Sequence, residues 1–66
     1  MNMLISVNKI SKTINKDYRT TVKLIGKFGF IFNGAKELPI DKTEEFLKWL
    51  GYGDKIINNY IEELVK

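Results

Sequence analysis

Arg19, Lys23 and Lys27 stand four residues apart, and that spacing keeps them together in either regular conformation. On a strand, every second side chain shares a face. On a helix, a step of four drifts by only about 40° at 3.6 residues per turn. Either way the chain carries one ridge of cations, and Lys9, Lys12 and Lys16 lie upstream to extend it. The chemistry of such a ridge is electrostatic: it holds phosphates. Lysine offers a point charge to a phosphate, whereas bidentate reading of guanine is done best by arginine, and Arg19 is the sole arginine. The pattern predicts a nucleic-acid surface with affinity dominated by phosphate contacts and with modest base specificity. The plain alternative is a solvated, lysine-rich surface.

Little else in the chain promises chemistry. There is no Cys and no His, which excludes disulfides, Cys/His zinc sites and catalytic triads built on His. Glu44-Glu45 and Glu62-Glu63 are adjacent pairs. Neighbouring side chains on a helix point about 100° apart, so neither pair converges on one atom. Gly26-Lys27 is not a phosphate loop, because such a loop needs a Gly five residues before that Gly and a Ser or Thr after the Lys. Thr21 and Phe28 stand there instead. The expectation is a protein that is not an enzyme, with no catalytic residue, metal or cofactor.

The 66 residues are 44% hydrophobic and 29% charged, which suits one small domain over 1–66. A domain of this size buries only about 60% of the surface its unfolded chain exposes, so it has little stability to spare and reason to form a homodimer. Charge is divided unevenly. Residues 1–36 carry seven cations against Asp17 alone, a net +6, and residues 37–66 carry a net −3. A basic half joined to an acidic half gives a directed field, and a pI near 9.3 suits a polyanionic partner. Ten of the eleven cations are Lys, and Ile and Asn are frequent too, which points to an AT-rich gene. A small basic product of such a gene suits a phage or mobile-element regulator. The apolar runs are far shorter than the roughly 20 residues of a membrane span. Met1-Asn2-Met3-Leu4-Ile5 lacks the basic region and cleavage site of a signal peptide. A cytoplasmic protein with no membrane partner is expected.

The elements that must position the ridge are easiest to read at the C-terminal end. Asp41 is a good helix cap, with Glu44 three residues on in the manner of a capping box. Ile40, Thr43, Phe46, Leu47 and Leu50 follow at helical spacing, and Gly51 stands where a left-handed helix end wants Gly. Asp54 caps the next helix, whose stripe is Ile56, Ile57, Tyr60, Ile61, Leu64 and Val65. Helices are predicted at about 41–50 and 54–65. Before Pro39 the pattern changes. Tyr18 to Phe32 alternates with period two in residues that favour strands, and Asn33-Gly34 is a strong hairpin signal. The fold predicted is α+β: an antiparallel β-meander within a basic, β-rich part of about residues 1–40, covered by the two helices of 41–66. On this reading the ridge lies on an exposed strand.

A helical reading competes over the same residues. Val7, Ile10 and Ile14 are spaced i, i+3, i+7, and Asp17 can cap a helix bearing Tyr18, Val22 and Ile25. Phe30 to Gly34 then forms a wing, followed by a helix ending Lys48-Trp49-Leu50. That order resembles the winged helix-turn-helix of small phage and transposon excisionases. The resemblance is strongest from Phe30 to Leu50 and implies a DNA-binding helix that begins with Arg19 and Lys23.

Gly26-Lys27-Phe28-Gly29-Phe30-Ile31-Phe32 resembles the aromatic strand of RNA-recognition and cold-shock proteins, and of S1-type barrels, with Gly and Lys in swapped order. The resemblance implies aromatic rings that stack on bases. The favoured reading is that Phe28, Phe30 and Phe32 share a strand face and form core against the helices. Trp49, off the main stripe of its helix, either packs on the second helix or joins Tyr52 in an exposed aromatic patch suited to protein contact. Two functions are carried forward. The first is nucleic-acid binding through Arg19, Lys23 and Lys27, with DNA ahead of RNA. The second is a small interaction or inhibitor protein that binds and blocks a host or defence protein.

Overall fold

In a computed structural model that describes residues 3–66, the chain forms two strands and four helices. Their order is β1 (Leu4–Ser6), α1 (Val7–Thr13), α2 (Tyr18–Phe28), β2 (Glu37–Pro39), α3 (Ile40–Trp49) and α4 (Asp54–Leu64). The strands pair antiparallel, Leu4 with Pro39, Ile5 with Leu38 and Ser6 with Glu37. The ladder is extended by Val7 N–H donating to Lys36 O (2.9 Å) and Ile40 N–H to Met3 O (2.8 Å). The two ends of the segment 4–39 are thus tied together, and α1 and α2 lie between them.

The α+β class holds, but the β-meander does not. Residues 7–28 are two helices, and among the described residues the β-rich part expected over about 1–40 contributes two three-residue strands. The period-two alternation from Tyr18 to Phe32 is overridden by tertiary burial. Thr21 and Ile25, one helical turn apart, are both fully buried. Thr21 turns its Oγ1 back to donate to Asp17 O (2.9 Å), which satisfies the hydroxyl inside the helix and makes a β-branched polar residue acceptable there. The hairpin expected at Asn33-Gly34 is also absent. Residues 30–33 form no strand, and β2 pairs with β1 across the molecule.

The turn between α1 and α2 shows how the first helix stops. Asn15 adopts φ 59°, its N–H donates to Lys12 O, and the N–H of Lys16 donates to Ser11 O. This is the left-handed helix end usually built on Gly, with Asn as the tolerated substitute. The same bonding closes α2 at Gly29 and α3 at Gly51.

Both C-terminal helices form as read, within a residue of the expected ends, but their caps differ. The cap of α3 is Pro39, with no side-chain bond, and Asp41 lies inside the first turn. Pairing of β2 with β1 fixes the start of α3 two residues earlier than a cap at Asp41 would. Asp54 is likewise the first residue of α4, after Gly53. Both carboxylates still favour the positive end of the helix dipole.

One core joins all six elements. Val7, Ile10, Ile25, Leu38, Phe46 and Leu47 have no exposed surface, and Ile5, Ile57 and Leu64 have almost none. Thr43 and Ser11 are buried with their hydroxyls donating to Pro39 O and Asn8 O. Among the described residues, no helix is long and apolar enough to cross a membrane. Met1 and Asn2, part of the signal-peptide reading, lie outside the described residues.

Gly26 sits in helical backbone within α2, and a Cβ added there meets no atom within 4 Å. Gly26→Ala is therefore expected to stabilise the fold by about 0.5–1 kcal/mol, by removing unfolded-state freedom without strain. Urea denaturation measures this. A loss of stability instead would mean that α2 is not helical at this position.

Candidate nucleic-acid interface

Helix α2 carries the ridge. It starts at Asp17, whose side chain accepts a hydrogen bond from the Thr20 N–H at 3.1 Å. Arg19, Lys23 and Lys27 then follow one side of the helix and are exposed. Thr21 and Ile25 lie about 200° around the axis from Arg19 and Lys23 at 100° per residue, and they are buried. The core face thus fixes the rotation of α2 and leaves the cations outward. Among the described residues the one ion pair is Lys42–Glu45 at 3.6 Å, so none of the three ridge cations is within ion-pair distance of a carboxylate.

Hydrogen bonding from Thr20 holds the Asp17 carboxyl below the usual carboxylate range, and the Arg19 charge adds to this. A carboxyl lowered by folding stabilises the fold above its unfolded-state value. That contribution fades as pH falls through the lowered value. Asp17→Ala is expected to lower the melting temperature at neutral pH, and much less so in strong acid. Asp17→Asn, which keeps a neutral cap, should lower it at neutral pH by less than Asp17→Ala does, and change it little in strong acid. Thermal melts at the two pH values measure the difference. An equal loss from Asp17→Ala at both would show that the carboxylate charge contributes nothing.

The upstream lysines divide. Lys16 is exposed in the turn that leads into the α2 cap, next to the ridge in sequence. Lys9 and Lys12 belong to the other side of α1. Lys9 Nζ donates to the main-chain oxygen of Lys66 at 3.1 Å. Lys12 lines a polar cleft between α1 and α4 with Asn59, Glu62 and Glu63. Two of the six expected cations therefore point toward the acidic fourth helix.

The aromatic residues are arranged differently from expectation. Phe28 is on α2, while Phe30 and Phe32 are in the loop after it, so no strand presents three rings on one face. Base stacking on an aromatic strand has no platform here. Phe28 instead meets Phe46 and Trp49, with centroids at 5.6 and 5.7 Å. Phe30 packs edge-on to Phe32 at 5.5 Å. Trp49 packs on Phe28 and Phe46 and remains 48% exposed. Tyr52 is half-buried and meets Tyr60 of α4 edge-on at 5.3 Å. The two sides of the expected aromatic patch thus have separate neighbours.

Sequence reasoning passed over Tyr18 and Thr20, which are exposed in the first turn of α2 beside Arg19. Asp17 as a cap is the signal that places them there. It also passed over Ile31, which is 86% exposed in the loop after α2. No pattern in the sequence marks that residue, because its neighbours Phe30 and Phe32 are equally apolar. Compared with known protein families, curated proteins and solved structures, the chain matches none.

Proposed function

We propose that this chain is a small DNA-binding protein that sets the exposed face of α2 against duplex DNA in the manner of a helix-turn-helix. One observation carries the reading: three unpaired cations line the solvent face of a single helix whose opposite face is buried. The short turn between α1 and α2, with Asn15 in left-handed conformation, supports it. In such motifs the second helix enters the major groove and its first residues meet base edges. Here those residues are Tyr18, Arg19 and Thr20, with Lys23, Lys27 and Lys16 for phosphates. One arginine and several lysines make an affinity that is mostly electrostatic.

The test is fluorescence anisotropy of labelled duplex DNA, single-stranded DNA and RNA, titrated at several salt concentrations. Duplex DNA is expected to bind best, with log K falling linearly and steeply with log salt. Binding no tighter than about 10⁻⁴ M at physiological salt, for every nucleic acid, would sink the proposal. Exposure of Ile31 and Trp49 supports a second reading, in which the chain is an interaction or inhibitor protein. Its partner would be captured where nucleic acid is not.

A further inference from the structure

Ile31 is the most exposed large apolar side chain among the described residues. It stands on the loop between Gly29 and Lys36, and that loop is braced rather than slack. Phe30 packs on Phe32, and Lys36 Nζ lies 5.1 Å from the centre of the Phe32 ring. Immediately beside Ile31 is a shallow groove of about 500 Å³, walled by Phe28, Phe30 and Ile31 and rimmed by Lys42 and Glu45 of α3. An apolar knob and an apolar groove are thus neighbours on one surface.

We propose that this groove receives Ile31 of a second copy of the chain, in a reciprocal exchange about a two-fold axis. Adjacency of knob and groove is what such an axis needs, because one operation then fills both grooves. The rim is self-complementary as well. Lys42 and Glu45 are 3.6 Å apart on α3, and an antiparallel approach sets each Lys42 against the partner's Glu45. A nucleic acid is the poorer occupant here. Glu45 lies on one side of Ile31, and Glu37 lines the groove on the other side with Leu4, so carboxylates flank the loop tip on both sides.

The interface is small. A standard stable contact takes about 800 Å² from each partner, roughly a sixth of the 4572 Å² this chain exposes. A patch built around one loop and one helix face covers less than that. The dimer is therefore dissociable, with a Kd on the order of 10–100 μM rather than nanomolar.

Sedimentation equilibrium from the micromolar to the millimolar range tests it. The wild-type chain is expected to pass from monomer to dimer, and Ile31→Asp is expected to stay monomeric with an unchanged melting curve, since the side chain carries no core contact. Lys42→Glu and Glu45→Lys should each weaken self-association at least about tenfold. Mixed together they should form a heterodimer tighter than either alone, because every cross-pair is then attractive. A wild-type chain that is monomeric at millimolar concentration overturns the proposal. So does an Ile31→Asp chain that dimerises like wild type, or a charge-swapped mixture that associates no better than its parts. If the chain stays monomeric while Ile31→Asp weakens duplex binding, the loop is a DNA contact and not a dimer seam.

Discussion

Phe46→Ala is expected to remove a large part of the stability of the fold. Phe46 is fully buried at the point where α2 and α3 meet, with Phe28 at 5.6 Å and Trp49 at 6.2 Å from its ring centre. Replacing a buried Phe by Ala costs about 3–5 kcal/mol, through lost transfer energy and the cavity left behind. Native stability runs at about 0.05–0.15 kcal/mol per residue, which gives a chain of this length on the order of 3–10 kcal/mol in all. The loss is thus a large share of what there is. Trp49 is the sole tryptophan and stacks on the missing ring, so its fluorescence reports the event directly. Urea titration should show the midpoint falling steeply, in proportion to the stability lost. Trp49→Phe, on a half-exposed ring, should cost far less. A Phe46→Ala chain that loses under about 1 kcal/mol would mean that this aromatic junction is not the centre of the core.

The elements that sequence made legible are those in which one period dominates. In α4 the apolar residues Ile57, Ile61 and Leu64 recur at helical spacing among polar ones, and no strand pattern fits them. The ridge was legible for a different reason. A spacing of four groups Arg19, Lys23 and Lys27 in a helix and in a strand alike, so the ridge does not depend on which element forms. Between Tyr18 and Phe32 both periods are present at once. Thr21, Ile25 and Phe28 make a helical stripe, while the aromatic and β-branched residues at even positions make a strand pattern. Local propensity alone leans to the strand at Thr20-Thr21-Val22. The decision is made by partners far away in sequence: Phe46 receives Phe28, and β1 takes β2 as its neighbour in place of a local hairpin. Long-range pairing of this kind leaves no local mark. For the same reason the placement of Lys9 and Lys12 was out of reach, since it depends on where α4 comes to rest.

The division of the lysines makes a sharp expectation for binding. Arg19→Ala/Lys23→Ala/Lys27→Ala removes three exposed cations from one face of α2 and touches no core residue. Alanine is also a better helix former than any of the three, so the fold should be retained. Each phosphate contact contributes about 0.9 to the slope of log K against log salt, and losing three should make that slope shallower by nearly 3. Binding at physiological salt should then fall toward the weak end of non-specific association, about 10⁻⁴ M. Lys9→Ala/Lys12→Ala removes two cations of equal charge from the α4 side of α1. Its effect should be confined to the general field of the protein, with the slope changing by well under 1 unit per lysine. Net charge alone predicts otherwise: the two sets would then weaken binding in the ratio of three to two, and their slopes would change in the same ratio. Anisotropy titrations of the two variants side by side separate these outcomes. Loss in proportion to charge would mean that duplex DNA reads the whole basic half of the chain. Loss concentrated in the α2 set would mean that the core, by burying Thr21 and Ile25, aims one helix at the phosphates.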